Sequence, residues 1–189
     1  MAVLGNRRQW LFSSFVSFAA GLVAISSPTF AEDTESLKGK PAPAIALKTL
    51  KGDEVSLVKM KGDVVLIDVW ATWCGPCRKG LPHINEIAEN KEYQKQGLHV
   101  WAVNLREKNE DVEAFIAKEN LTAMTVVLDS KGELSQPYKI DGIPTTIVVG
   151  RDGKIAAVFI GLGDGKEITK AVETALKVKA PAAKTAKAK

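Results

Sequence analysis

The feature that most constrains the fold is the run 64–69, in which every residue except Asp68 is aliphatic. A strand that is apolar at every position has no face for solvent, so it is typical of the centre of a sheet covered on both sides. Such strands belong to α/β proteins, in which strands and helices alternate. No heptad pattern persists along the chain, which excludes a coiled coil.

The rest of the chain does alternate. Period-two patterns and turn residues predict hairpins at 45–57 and 145–160. They also predict two further strands, at 99–105 and 125–128. Apolar spacing predicts helical segments that end at Gly97, run over 109–119, form a short turn at 133–138, and carry Ile168, Val172 and Leu176. Residues 32–40 are predicted to be a polar linker. This order predicts the α/β class, with a mixed central sheet flanked by helices, in a domain over 32–176.

The chemistry is concentrated between the apolar run and the helix that follows it, at Cys74-Gly75-Pro76-Cys77. Two residues three apart in a first helical turn have Cα atoms about 5 Å apart, which suits a disulfide. Cys74 lies where free amides and the helix dipole favour a thiolate, and Pro76 is tolerated because its missing N–H has no partner there. The pattern predicts that Cys74 attacks and that the less exposed Cys77 resolves.

Other uses of the two cysteines are weaker. A zinc site would need both cysteines and both histidines, but His83 and His99 fit no finger spacing. Covalent haem would need histidine at position 78, where the chain has arginine. A purely structural disulfide stays open as an alternative, although closing so short a loop restrains the unfolded chain very little. The loop 161–166 mimics a phosphate-binding loop but is one residue short. We expect no metal and no cofactor.

Asp68 is the second candidate functional residue. A charged, unpaired carboxylate inside an apolar strand costs several kcal/mol, so Asp68 should be either partnered or protonated. It lies six residues before Cys74, where a buried acid–base group could exchange a proton with Cys77. The alternative is that the strand ends before Asp68.

The segment Trp70-Ala71-Thr72-Trp73 and the cysteine motif after it resemble the thioredoxin active site. The resemblance covers about 38–176 and is greatest to the exported TlpA/ResA-type thiol-disulfide oxidoreductases. It implies a thioredoxin fold with an N-terminal hairpin extension, which begins at Gly39-Lys40-Pro41-Ala42-Pro43, and with a central insertion formed by 111–119 and 125–128.

The resemblance also implies roles for particular residues. Pro144, in the loop Gly142-Ile143-Pro144-Thr145-Thr146, corresponds to the cis-proline that packs beside the disulfide and binds substrate. Asp68 corresponds to the buried aspartate of thioredoxin, Pro82 to the proline that kinks the active-site helix, and Trp73, Gly75, Pro76 and Ile143 to residues that shape the site. Two positions depart from the pattern: Ala102 replaces the lysine that accompanies the aspartate, and Gly80 stands where exported relatives often carry glutamate.

The chain ends carry its positive charge. The formal net charge is +4, but residues 32–176 hold 19 basic and 22 acidic side chains. A nucleic-acid-binding protein should concentrate positive charge on its folded body, so we expect no nucleic-acid partner. The Lys/Ala-rich tail 177–189 is predicted to be disordered.

The N-terminus is predicted to be an export signal. Arg7 and Arg8 precede an apolar segment, 10–25, and Thr29-Phe30-Ala31 is a small-x-small cleavage site, so 1–31 are expected to be removed. An uncleaved anchor is the alternative. The two arginines also fit a twin-arginine signal, which carries folded proteins. Both routes lead to the periplasm, where disulfides persist.

These features predict a periplasmic thiol-disulfide oxidoreductase that acts as a reductase. The Gly-Pro dipeptide, Ile143 and a protonated Asp68 offer little extra stabilisation of a thiolate, which favours a reductant. Similar proteins act on exported proteins with cysteine pairs, such as apocytochrome c in cytochrome c biogenesis or copper-site cysteines, and receive electrons from a membrane thiol relay. The alternatives are an oxidant or isomerase and a non-catalytic thioredoxin-fold binding module.

Overall fold

In the computed structural model, which describes residues 34–181, the apolar run is the central strand of a seven-stranded sheet. The strands are β1 (Ala46–Thr49), β2 (Glu54–Ser56), β3 (Val64–Trp70), β4 (Leu98–Leu105), β5 (Thr125–Asp129), β6 (Thr145–Val149) and β7 (Ile155–Ile160). Their order is β2-β1-β5-β4-β3-β6-β7. β3 pairs in parallel with β4 and antiparallel with β6, so the sheet is mixed, as predicted.

The helices are α1 (Gly75–Glu89), α2 (Lys91–Lys95), α3 (Asn109–Lys118) and α4 (Gly165–Lys177), and two 3-10 helices cover Thr34–Leu37 and Leu57–Met60. The sheet separates two apolar clusters. One lies under α1, α3 and α4 and contains Leu66 and Trp70 of β3. The other contains Ile67 and Val69 and is covered by the 3-10 helices and by the segment 130–144. Alternate residues of β3 therefore enter opposite clusters.

The helix that was predicted to continue to Gly97 ends earlier. Asn90 adopts an extended conformation (φ −64°, ψ 105°) and separates α1 from α2. Its side-chain oxygen accepts hydrogen bonds from the backbone N–H groups of Glu92 and Tyr93. An asparagine that caps a new helix competes with continuation of the old one, which explains why the single-helix prediction is wrong here.

The polar-linker prediction is wrong for residues 34–37. Leu37 is buried in the second cluster, and Thr34 Oγ1 donates a hydrogen bond of 2.7 Å to the carbonyl of Lys139. Lys139 directly follows the segment 133–138, which forms consecutive turns and not the predicted short helical turn. Within it Tyr138 is fully buried and donates to the carbonyl of Pro43 at 2.7 Å. The two segments cover the sheet face that lacks the long helices.

The predicted signal peptide and tail lie largely outside the residues that the structure describes. The signal peptide (1–31) and residues 182–189 of the tail are not among the described residues. α4 ends at Lys177, the first residue of the predicted tail. Within 34–181, none of the helices combines the length and the apolar character that a membrane span requires.

Candidate functional site

The cysteine pair lies where the central strand turns into the first long helix. β3 ends at Trp70, and α1 begins at Gly75 with Cys74 as its N-cap residue. Cys74 and Cys77 form a disulfide whose Cα atoms are 5.2 Å apart. The carboxyl end of a central parallel strand is the usual place for a site in an open α/β sheet. Both sulfurs belong to one helical turn, so the backbone need not move far when the bond opens.

Two backbone groups act oppositely on the Cys74 sulfur. The N–H of Cys77 donates to Cys74 Sγ at 3.2 Å, which favours a thiolate because a hydrogen-bond donor stabilises the charged form. The carbonyl oxygen of Ile143 lies 3.7 Å from the same sulfur, and the negative end of this dipole disfavours a thiolate.

The two sulfurs differ little in exposure in the oxidised protein. Cys74 is 5% exposed and Cys77 is 1% exposed, so the order of exposure is the predicted one but the difference is small. The ring of Trp73, by contrast, is 72% exposed immediately before the motif. Pro76 lies in the first turn of α1, where its missing N–H breaks no helical bond. Trp73 therefore presents a large exposed side chain beside the disulfide.

The loop 142–144 forms the other side of the site. The peptide bond between Ile143 and Pro144 is cis, and Pro144 is buried. The carbonyl of Pro144 accepts from the N–H of Gly161 at 2.8 Å, which ties this loop to the end of β7. The Ile143 carbonyl is thereby held beside Cys74, although the two residues are 69 positions apart.

Asp68 is buried within β3, on the sheet face that α1 covers. Its side chain is 3% exposed, and its partners in register are Ala102 of β4 and Thr146 of β6. Burial raises the pKa of Asp68 to about 7, although a hydrogen bond from Thr146 Oγ1 (2.7 Å) opposes the shift. Ala102 offers no cation at the neighbouring position, so nothing on β4 lowers the pKa there.

Asp68 and Cys77 line one cavity of about 220 Å³ beneath the disulfide, together with His83, Pro144 and Leu162. Gly80 lines it as well, and a methyl group added there would lie 3.1 Å from Cδ1 of Leu162. The glycine therefore lets the loop after β7 approach α1. The Asp68 and Cys77 side chains therefore border the same space.

Residues 34–181 contain no cluster of side chains that could ligate a metal ion. No group of three or more His, Cys, Asp or Glu side chains in this range is arranged to hold an ion. His83 bonds through Nε2 to the carbonyl of Gly165 at 2.8 Å, and His99 Nε2 lies 3.1 Å from a carboxylate oxygen of Asp63. The two histidines thus have separate partners.

The comparisons with known proteins agree with this geometry. The family model described as the AhpC/TSA family matches residues 38–158. The chain belongs to the AhpC/TSA family of thioredoxin-like proteins. With a Cys-x-x-Cys disulfide at its site, this family member is a thiol-disulfide oxidoreductase, and the predicted thioredoxin fold is confirmed.

Relatives within the family cover most of the chain. The thiol-disulfide oxidoreductase ResA of Geobacillus thermodenitrificans is 32% identical over 145 residues, 77% of this chain and 82% of the relative. The thioredoxin-like protein YneN of Bacillus subtilis is 38% identical over 134 residues, 69% and 76% of the two chains. The crystal structure of StoA from Bacillus subtilis is 32% identical with a TM-score of 0.59, covering 69% of this chain and 96% of that one.

Sequence reasoning missed Thr146 as the partner of Asp68. A signal existed, because Thr146 is a polar residue in the predicted strand 145–149, just as Asp68 is in 64–69. Polar side chains in buried strands need partners, so two of them in neighbouring strands should meet. Only the antiparallel register of β3 and β6 places them opposite each other.

The raised pKa of Asp68 predicts a pH-dependent stability difference between the oxidised wild type and Asp68→Asn. Between pH 4 and pH 7 the folded protein keeps the Asp68 proton that the unfolded chain has lost, so wild-type stability falls as pH rises through this window. Asp68→Asn has no titratable group at this position, so its stability does not fall for this reason. We expect the difference in unfolding free energy to grow in favour of the variant by up to about 4 kcal/mol and to level off above pH 7.

Urea unfolding of both proteins at a series of pH values from 4 to 9 measures this difference. Asp141→Asn, at an exposed position, is the matched control and should show no such trend. A difference between Asp68→Asn and the wild type that stays constant across pH would mean that Asp68 is ionised in the fold throughout.

Proposed function

We propose that this oxidoreductase is an exported reductant, which passes two electrons from the Cys74–Cys77 dithiol to disulfides in other exported proteins. The observation that carries the proposal is the placement of the disulfide: one sulfur caps α1, and the other shares a cavity with a buried acid. This arrangement separates a sulfur suited to attack from a sulfur suited to resolution.

In the first step the Cys74 thiolate attacks one sulfur of a substrate disulfide. A new bond forms between Cys74 Sγ and that sulfur, and the other substrate sulfur leaves as a thiolate that takes a proton from solvent. The helix N-terminus and the Cys77 N–H stabilise the attacking thiolate. The product is a mixed disulfide on Cys74.

In the second step the Cys77 thiol gives its proton to the Asp68 carboxylate and attacks Cys74 Sγ. The mixed disulfide breaks, the second substrate sulfur leaves as a thiolate, and Cys74–Cys77 is left oxidised. A pKa near 7 suits Asp68 to accept and later release this proton at neutral pH. Asp68→Asn should therefore slow resolution by about 10²-fold, the usual scale of general acid–base catalysis, and affect attack less.

The reducing direction is favoured by how little the site stabilises a thiolate. One N–H donates to Cys74 Sγ, while the Ile143 carbonyl faces the same atom. Buried Asp68 adds no positive charge beneath the pair. Oxidising members of this chemistry depend on a strongly stabilised thiolate, so the balance here supports a donor of electrons.

The surface around the disulfide supports a protein substrate. Trp73 is 72% exposed and Leu162 is 52% exposed, and Ile143 is half-buried beside the disulfide. Large exposed apolar side chains beside a reactive group are typical of an interaction surface. We propose that they receive an extended segment carrying a cysteine pair, such as that of an apocytochrome c or of a copper site.

Export through the N-terminal signal completes the proposal. The signal-like residues 1–31 support a periplasmic location, where a membrane thiol relay would return the electrons. The signal is proposed to be cleaved after Ala31.

The first prediction of this function concerns the two sulfurs. In the reduced protein near neutral pH, iodoacetamide should label Cys74 before Cys77, because Cys74 has the helix N-terminus and is the less buried. Cys77→Ser should then accumulate mixed disulfides with periplasmic proteins through Cys74. Peptide mass mapping measures the labelling, and non-reducing gels followed by mass spectrometry identify the partners.

Cys74→Ser is the matched control for trapping, since it keeps a cysteine at the same site but lacks the attacking sulfur. It should trap little. First labelling at Cys77, or equal trapping by the two variants, would overturn the assignment of roles.

The second prediction concerns direction. Equilibration of the purified oxidised protein with glutathione buffers should give a reduction potential well below about −180 mV, on the reductant side of the known range. The fraction of Cys74–Cys77 disulfide is read by thiol labelling and intact mass. A potential well above that value would make the protein an oxidant or isomerase instead.

The third prediction concerns export. The mature chain should begin at Glu32 and be recovered from the periplasm. Replacing both Arg7 and Arg8 with lysine should block export only if the signal is of the twin-arginine type, because a general signal needs only positive charge. The intact mass of the protein recovered from the periplasmic and membrane fractions distinguishes a cleaved signal from an anchor. A full-length chain in the membrane fraction would show an anchor.

A further inference from the structure

The segment between β3 and Cys74 is held by a residue that lies outside the cysteine motif. Glu107 follows β4 by two positions and reaches Thr72 with both carboxylate oxygens. Its Oε2 accepts from the backbone N–H of Thr72 at 2.7 Å, and its Oε1 accepts from the Thr72 hydroxyl. Oε2 also accepts from Asn104 Nδ2 at 2.7 Å.

These three hydrogen bonds join the two strand ends that frame the site. Asn104 is 1% exposed and is the parallel-register partner of Trp70, the last residue of β3. Hydrogen bonds to a carboxylate are stronger than those between neutral groups. Thr72 is thereby attached to the neighbouring strand, which is rigid and buried.

The chain around Glu107 is itself shaped for this contact. Arg106 has φ of 57°, in the left-handed region that costs energy for a residue other than glycine. Its N–H donates to the carbonyl of Asp129 at 3.0 Å at the end of β5. A backbone of this kind persists only where the surroundings fix it, and it lies directly before Glu107.

Thr72 lies two residues before Cys74 in the chain. It lies inside the turn 71–74, which is closed by a hydrogen bond from the Cys74 N–H to the Ala71 carbonyl at 3.1 Å. A shift of Thr72 moves Cys74 relative to the Cys77 N–H and to the Ile143 carbonyl, the two groups that set its thiolate character. The anchoring residue therefore bears on reactivity, although it does not touch the sulfurs.

We propose that Glu107 is a positioning residue that fixes the turn 71–74 and thereby sets the reactivity of the Cys74 thiol and its exchange rate. The inference rests on the proposed role of Cys74 as the attacking sulfur. Glu107 itself takes part in no chemical step of the reaction. The geometry of the first step is thus assigned to a carboxylate that lies just beyond the end of β4.

Two neutral variants separate position from charge. Glu107→Gln can keep all three contacts, because one amide oxygen can accept both N–H donors and the NH₂ group can donate to the Thr72 hydroxyl. Glu107→Ala removes all three. The two variants have equal charge, so any difference in Cys74 chemistry between them reports the hydrogen bonds alone.

We expect Glu107→Ala to react with oxidised glutathione at least about tenfold more slowly than Glu107→Gln, since misplacement of a reacting group costs this much or more. The thiol pKa of Cys74, from the pH profile of iodoacetamide labelling, should also differ between the two variants, because in Glu107→Ala the sulfur moves relative to both the Cys77 N–H and the Ile143 carbonyl. Glu107→Gln should return both quantities most of the way to wild type.

If Glu107→Ala does not fold, Thr72→Val replaces it as the test variant. It removes only the hydroxyl contact and should change the rate and the pKa in the same direction by a smaller amount. Glu110→Ala, three residues further on and exposed, is the control for loss of an acid and should leave both unchanged.

Folded Glu107→Ala and Glu107→Gln proteins with the same rate and the same Cys74 pKa would overturn the inference, whatever their stability. If no Glu107→Ala protein folds, a Thr72→Val protein that matches wild type would overturn it instead. Labelling that reaches Cys77 first in the wild type would instead overturn the proposed roles of the cysteines, so the two failures are distinguishable.

Discussion

β3 lies between a parallel and an antiparallel neighbour, and all seven of its side chains are buried. A strand in this position is fixed by two hydrogen-bonded ladders and by an apolar cluster on each face. Its carboxyl end is therefore held by backbone pairing as well as by packing. The disulfide, the turn 71–74 and the first residue of α1 all follow from that point. The same burial deprives Asp68 of water and raises its pKa to about 7.

The two cysteines have different surroundings because they occupy different positions in the first turn of α1. Cys74 caps α1 and faces one N–H donor and one carbonyl from another loop. Cys77 lies one turn inside, above a cavity that also contains Asp68, the one acidic side chain of β3. Opposing dipoles around one sulfur and an acid near the other support the separate parts proposed for the two cysteines in disulfide exchange.

Several segments that are distant in sequence converge on this helix terminus. The loop 142–144 presents a carbonyl to Cys74, the loop after β7 places Leu162 over Gly80, and Glu107 binds Thr72. Each is attached to a different strand of the same sheet. The proposed chemistry at the cysteines therefore involves groups that the pairing of the strands brings to the motif.

The sequence by itself determined the elements and the reactive pair. Periodicity and composition located the central strand, both hairpins and the amphipathic helices, and the cysteine spacing indicated a redox disulfide, because these are local properties of the chain. It placed a buried acid at Asp68 as well, since a polar residue in an apolar run stands out. It did not reveal the break at Asn90 or the burial of Leu37, where a side-chain cap and a distant cluster override local preference. The partnership of Asp68 with Thr146 and of Thr72 with Glu107 was decided only by the tertiary structure, because strand order and register, which no local pattern encodes, bring those residues within hydrogen-bonding distance.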